Sequence, residues 1–325
     1  MLIVRAPLRV SFFGGGTDIP EFYNKHGGSV LSCAINKYVY TSLKDLDQSY
    51  QENYRLNYSK TEIKNNISEI KNNLIRESLN LLDTKSRLYI STIADVPLKS
   101  GLGSSSSFAA SLLFALAYKN NIKLNKKNLA ELVCKLEIEI LKNPIGKQDQ
   151  YASVYGGINK ISFSKRSTSV KKIILSNSFK RQIENSMFLV WTGQQRNANT
   201  VLKKQSNDII NKIELYKNMK PIVDEGYTIL TRKKFNLIDF SYLLNESWSL
   251  KKKFSNKIIS DKSDYIFKMA KKNGALGMKV CGAGNGGFTL ICAPMECRQS
   301  IKKALKGFLT HDIKIDNDGV KRLKI

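Results

Sequence analysis

Apolar and polar positions alternate from Leu2 to Phe13, a period of two that predicts a β-strand running into Gly14, Gly15 and Gly16 before Thr17 and Asp18. Ile63, Ile67, Ile70 and Leu74 recur at helical spacing and predict a helix, followed by a strand over Arg87 to Ile93. A second helix carries Leu129, Leu132, Val133, Leu136 and Ile140, with Asn125 suited to cap its start and Pro144 marking its end. Met187 to Thr192 is strand-like, and lysine-rich helical patterns occupy roughly 200–219 and 236–252. A helix over about 262–273 stops at Gly274, then Leu276 to Cys281 leads through a glycine run into the strand-like Thr289 to Cys292. Strands and helices mix without a steady βαβ rhythm, which predicts an α+β protein. Polar residues and lysines cluster near 164–178, and the chain is divided there into residues 1–170 and 171–325.

The most specific local signal is PLKSGLGSSSSFAASLLFALAY, a glycine and serine turn opening straight into an apolar helix. Gly101 and Gly103 let the backbone turn tightly, while Ser104, Ser105, Ser106 and Ser107 place hydroxyls and free amides at a helix N-terminus, where an anion is stabilised. A Walker A loop needs a lysine after its last glycine, and Ser104 follows Gly103 directly, so that class is excluded. A serine-capped core helix is the plainer alternative.

The net charge of +26 first raises nucleic acid as a partner, but the lysines are scattered rather than gathered with aromatics into a stripe, and no nucleic-acid partner is expected. The field suits anionic substrates such as ATP or sugar phosphates. Five cysteines without a CxxC pair support neither a disulfide framework nor a zinc site, which fits a reducing cytoplasm. Arg5 and Arg9 interrupt the first apolar run, so it does not read as a signal peptide, and no stretch is long enough to span a bilayer. Two histidines leave little room for a histidine-based mechanism.

Gly282, Gly284 and Gly287 match GxGxxG but lead into a strand, not the helix a dinucleotide fingerprint requires, and HRD and DFG signatures are absent. The run is a hairpin connection or a wall where backbone approaches a ligand. Glu137 has Val133 and Leu141 four residues to either side, at the edge of the apolar face, so its carboxylate needs a cation or donors; beside a phosphate cradle Mg²⁺ fits, and a lysine partner is the plain reading. Asp149 lies in a loop after that helix, where it is a turn former or the acceptor of a substrate proton. Arg9 and Asp18 bracket the first glycine turn and can grip an anion and sugar hydroxyls, or pair at the surface.

Three motifs in order, APLRVSFFGGGTD, PLKSGLGSSSS and KVCGAGNGGF, resemble those of the GHMP small-molecule kinases and span nearly the whole chain. Within that family FFGGGTDIPEFY, LEIEILKNPIGKQDQYASVYGG, WTGQQRNA and GALGMKVCGAGNGGF are most similar to the bacterial D-glycero-D-manno-heptose 7-phosphate kinases. The resemblance implies an N-terminal domain like ribosomal protein S5 domain 2, a ferredoxin-like C-terminal domain and a site between them. It implies ATP and Mg²⁺ as cofactors and phosphorylation of the anomeric hydroxyl, giving heptose 1,7-bisphosphate for nucleotide-activated heptose and surface glycans.

Carried over by motif, Gly101, Leu102, Gly103 and Ser104 to Ser107 hold ATP, Ser105 and Glu137 hold Mg²⁺, Asp149 is catalytic, and Arg9 steadies it or the transferring phosphate. Asp18, with Gly15, Gly16, Thr17, Gly282 and Gly284, meets the sugar. Arg196 in WTGQQRNA is the expected contact for a phosphate already on the acceptor. Ser106 and Asn285 depart from the alanine and glycine common in the family, without removing a catalytic group. An unphosphorylated sugar such as fucose is the alternative acceptor, and a silent sensor or a basic RNA-binding protein the alternative class. Oligomeric state is left open.

Overall fold

The computed structural model describes residues 1–195, 208–254 and 259–324. Strand β1 (Leu2–Phe13) runs antiparallel to the long β2 (Gly28–Asp45), with register shifts between Pro7 and Leu8 and between Ser11 and Phe13. Arg9 and Ser11 alternate with Leu8, Val10 and Phe12, so the two polar residues share one face of β1. Phe12 and Phe13 at the second shift are both buried in one core.

The first half of β2 carries β6 (Ile158–Phe163) and then β7 (Thr168–Ile173). Its second half carries β5 (Leu88–Ala94), which pairs in parallel with β3 (Tyr54–Asn57), itself antiparallel to β4 (Thr61–Lys64). A second, antiparallel sheet is ordered β11 (Thr310–Asp312), β8 (Met187–Trp191), β10 (Phe288–Cys292) and β9 (Gly277–Val280). The last strand, β12 (Lys321–Leu323), returns to the first sheet and pairs with β1.

Helices α1 (Pro20–His26), α2 (Asn73–Leu81), α3 (Ser104–Lys119), α4 (Lys126–Cys134) and α5 (Gln148–Tyr155) belong to the first half of the chain. The second half adds α6 (Asn177–Ser186), α7 (Ile213–Lys217), α8 (Met219–Thr231), α9 (Leu237–Lys252), α10 (Asp261–Lys272) and α11 (Arg298–Ala304). The α+β reading therefore holds. Helix α3 is apolar on nearly every side and most of it is buried, with Ser105 in its first turn left exposed.

Several expectations change in the structure. The helix expected over Ile63 to Leu74 is instead strand β4, a 3₁₀ turn over Ile67–Glu69 and the start of α2. The apparent spacing joined residues of different elements: Ile63 lies on an edge strand and is 55% exposed, whereas Ile70 is buried. Strand β2 gave little periodic signal because every residue from Gly28 to Ile35 is buried, leaving no polar face to alternate. Within the expected 200–219 pattern Ile210–Lys212 is a 3₁₀ turn and Ile213–Lys217 is α7, with α8 following from Met219, and residues 200–207 lie outside the described residues. Asn125 does cap its helix, accepting from the Asn128 amide, but α4 gives way at Cys134 to a π-helical turn, Lys135–Ile140. The expected division after residue 170 falls inside β7, whose bonds to β6 carry the first sheet to Ile173.

Candidate active site

Arg9 leaves β1 beneath the serine loop and is 4% exposed. Its Nε and Nη2 donate to Asp149 Oδ1 and Oδ2 at 2.7 and 2.6 Å, and its Nη1 donates to the Gly101 carbonyl at 2.8 Å. A planar guanidinium matched to both carboxylate oxygens fixes the carboxylate's direction as well as its charge. The Arg9 amide donates to the Leu102 carbonyl at 3.0 Å, so the serine loop is tied to β1 through backbone and side chain together.

Gly103 precedes α3 with φ 79°, a left-handed conformation that glycine adopts without strain. A Cβ there would stand 3.2 Å from Asp149 Oδ2, which places the carboxylate directly beside the N-terminus of α3. The opening of that helix therefore presents free amides next to an aspartate held by an arginine.

Glu137 sits on the π turn, whose i→i+5 bond runs from the Leu141 amide to the Leu136 carbonyl at 2.9 Å. The carboxylate is fully buried, and it accepts from Ser105 Oγ at 2.7 Å, Ser106 Oγ at 2.5 Å and Gln150 Nε2 at 2.8 Å. Burial raises its proton affinity above the usual carboxylate range, with the three donors opposing the shift. Among the described residues no basic side chain forms an ion pair with it, so the lysine partner is not found. Gln150 follows Asp149 in α5, so one helical turn addresses both acids.

Asp18 closes the other side. Its carboxylate accepts from the amides of Gly16 and Gln148 at 3.0 and 3.2 Å and from Gln148 Nε2 at 3.2 Å, and burial, then the nearby Asp149, raises its pKa. Gly146 allows that approach, because a Cβ there would lie 2.0 Å from Asp18 Oδ2.

Two concavities adjoin these groups, one at Ser105 and the other at the Arg9–Asp149 pair. A cavity of about 890 Å³ is lined by Tyr58, Lys60, Ile63, Leu74, Lys99 and the exposed Ser105, large enough for a nucleotide. The other is a polar cleft that takes in Arg9, Asp149, Asp18, Gly15, Gly16 and Gly282. Ser11, Gln148, Lys251 and Lys279 line the same cleft, and sequence reasoning missed all four. Ser11 Oγ and Gln148 Oε1 are buried without a hydrogen-bond partner, as expected of groups that meet a hydroxylated ligand. For Lys279 a signal existed: a lone lysine inside the apolar Met278–Val280 stretch.

Other expected contacts turn elsewhere. Leu102 is fully buried in the core and meets the site only through its carbonyl. Ser107 Oγ donates to the Pro7 carbonyl at 2.8 Å, and Thr17 Oγ1 donates to the Gly14 and Ser29 carbonyls, so both hydroxyls serve the fold. Gly284, at φ 92°, turns within the glycine loop outside the cleft. That loop backs the serine loop: the Phe288 amide donates to the Ser100 carbonyl at 3.0 Å, and a Cβ on Gly287 would lie 2.3 Å from it. Arg196 lies outside the described residues.

A single carboxylate with an adjacent hydroxyl, Glu137 and Ser105, suits Mg²⁺, which takes its remaining ligands from phosphates and water. Among the described residues no group of three or more His, Cys, Asp or Glu side chains is placed to hold a metal ion.

Residues 51–157 match the family described as GHMP kinases N terminal domain. The chain carries that N-terminal domain, and its fold is that of the solved GHMP kinases. A D-glycero-alpha-D-manno-heptose 7-phosphate kinase of Campylobacter jejuni is 29% identical over 341 residues, covering 99% of this chain and 98% of that protein. The bifunctional fucokinase/GDP-fucose pyrophosphorylase of Arabidopsis thaliana is 27% identical over 344 residues, covering 97% of this chain and 32% of the plant protein. A solved D-glycero-D-manno-heptose 1-phosphate kinase from Bacteriodes thetaiotaomicron has a TM-score of 0.82, with 100% of this chain and 99% of that one covered at 23% identity.

Proposed function

We propose that the protein transfers the γ-phosphoryl group of ATP to the anomeric hydroxyl of D-glycero-D-manno-heptose 7-phosphate, giving heptose 1,7-bisphosphate. The observation that carries this reading is the Arg9–Asp149 pair, set in a cleft of polar side chains beside the serine loop with its large cavity. The similarity to a heptose 7-phosphate kinase supports this acceptor.

ATP occupies the larger cavity with its phosphates at the amides and hydroxyls of Gly103 to Ser106. Asp149, oriented by Arg9, accepts the proton of the acceptor hydroxyl as that oxygen bonds to the γ-phosphorus, and the bond to the β-phosphate oxygen breaks to release ADP. Arg9 acts here by orienting Asp149, since the two carboxylate bonds and the Gly101 carbonyl engage three of its nitrogens. Glu137 and Ser105 would hold Mg²⁺, which would supply charge neutralisation for the nucleotide's phosphates. Asp18 takes sugar hydroxyls.

The catalytic unit is two-lobed, with the first lobe running to about residue 173, and the enzyme works in the cytoplasm. The likeness to the plant fucokinase favours an unphosphorylated sugar as the second reading. ADP release over a panel of heptose 7-phosphate, plain heptose, fucose and galactose tests both. Turnover confined to plain sugars would refute the phosphorylated acceptor, and no turnover with any sugar would refute the reaction.

A further inference from the structure

Three polar heads converge on the open side of Gly15. A Cβ built on that glycine would meet Ser11 Oγ at 3.5 Å, Gln148 Nε2 at 3.7 Å and Lys251 Nζ at 3.7 Å. All three groups can donate hydrogen bonds, and they come from separate elements: β1, the first turn of α5 and the last turn of α9. Ser11 Oγ is buried without a partner, and Lys251 is 8% exposed.

A second lysine stands behind them. Lys279, 3% exposed, donates to the Ser11 and Phe12 carbonyls at 2.8 and 2.7 Å and lies close enough to Lys251 for their charges to oppose one another. The two carboxylates of the cleft are already engaged, Asp149 by Arg9 and Asp18 by amides. Like charges drawn together in a buried wall are costly alone and favourable around an anion.

We infer that Ser11, Gln148 and Lys251, with Lys279 behind them, form the subsite for the phosphate that the acceptor already carries. The subsite rests on the sugar-kinase reading above and goes beyond it by naming what separates phosphorylated from plain acceptors. It lies on the Asp18 side of the Arg9–Asp149 pair, away from the cavity at Ser105, so it serves the acceptor and not ATP.

Lys251→Met removes the charge, and Gly15→Ala places a methyl at the point of convergence, where its contacts are ordinary van der Waals distances and the backbone is not left-handed. Each variant is compared with the wild type on D-glycero-D-manno-heptose 7-phosphate and on D-glycero-D-manno-heptose, with KM for ATP as a third readout. The ratio of kcat/KM for the phosphorylated acceptor to that for the plain one should fall about ten- to hundredfold in both variants, the loss of a charged hydrogen bond. An unchanged ratio, or a loss expressed in KM for ATP, overturns the subsite while the kinase reading stands. A wild type that uses neither acceptor refutes that reading instead, and one that uses only the plain sugar refutes the subsite together with the phosphorylated acceptor.

Discussion

Arg9 and Asp149 are 140 residues apart in sequence, yet the guanidinium meets both carboxylate oxygens in a forked pair. That pair joins the first strand to the first turn of α5 and sets an acid in the polar cleft. Asp149→Asn keeps the shape and removes the proton acceptor, so kcat should fall by about two orders of magnitude or more while ATP affinity stays within about threefold. Steady-state kinetics with a nucleotide-binding titration checks this. Arg9→Lys cannot reproduce the fork and should also lower kcat with little change in ATP affinity.

Glu137 is buried among hydroxyls and an amide, with a raised pKa and no ion-pair partner among the described residues. Glu137→Gln should therefore fold at least as well as wild type and lose the gain in ATP affinity that Mg²⁺ confers. Calorimetric titration of ATP with and without Mg²⁺ measures that gain directly. A variant that keeps it removes Glu137 from the metal site.

Two glycines make opposite predictions from similar crowding. A Cβ on Gly146 would strike Asp18 Oδ2 at 2.0 Å, so Gly146→Ala should raise KM for the acceptor at least about tenfold and leave KM for ATP near its wild-type value. A Cβ on Gly287 would strike the Ser100 carbonyl at 2.3 Å from a backbone at φ 81°. Gly287→Ala should cost about 1–3 kcal/mol of stability and act on KM for ATP through the displaced serine loop. Thermal melts and the two KM values separate these cases.

Burial, then Lys251, lowers the Lys279 pKa from 10.5 to about 7, and the groups facing it are Arg9 on β1, Lys251 on α9 and Cys281 and Cys292 beside it. Between about 7 and 10.5 the unfolded chain holds a proton that the folded chain has lost, so stability rises with pH across that window and flattens below it. Lys279→Met lacks this contribution. From pH 7 to 9 the wild type should gain about 2 kcal/mol over the variant in denaturant unfolding, at about 1.4 kcal/mol per pH unit. Parallel curves for the two proteins would show that Lys279 stays charged in the fold.

The parts of the site legible in sequence are those whose chemistry is local. Gly101 and Gly103 before a serine run state a helix N-terminus, and a glutamate between Val133 and Leu141 states a buried acid, because both depend on near neighbours in the chain. The joining of Arg9 to Asp149 was open until the fold bent α5 back to β1. Ser11, Gln148 and Lys251 look ordinary in sequence, since their meaning lies in converging on Gly15 from three elements. Leu102, Thr17 and Ser107 misled for the opposite reason: a motif position does not say whether a side chain faces the ligand or the core. Strand β2 and the Ile63 to Leu74 stretch failed where burial on both faces, or a change of element, erased the period.

The central claim is that Asp149 directs a phosphoryl group from ATP onto the anomeric hydroxyl of a sugar phosphate. Phosphorus NMR of the wild type with ATP, Mg²⁺ and heptose 7-phosphate, run beside Asp149→Asn, tests it most directly. A new anomeric phosphate signal growing in step with ADP in the wild type, and suppressed about hundredfold or more in the variant, is the expected result. ADP without a new sugar phosphate, or equal product from both proteins, would contradict it.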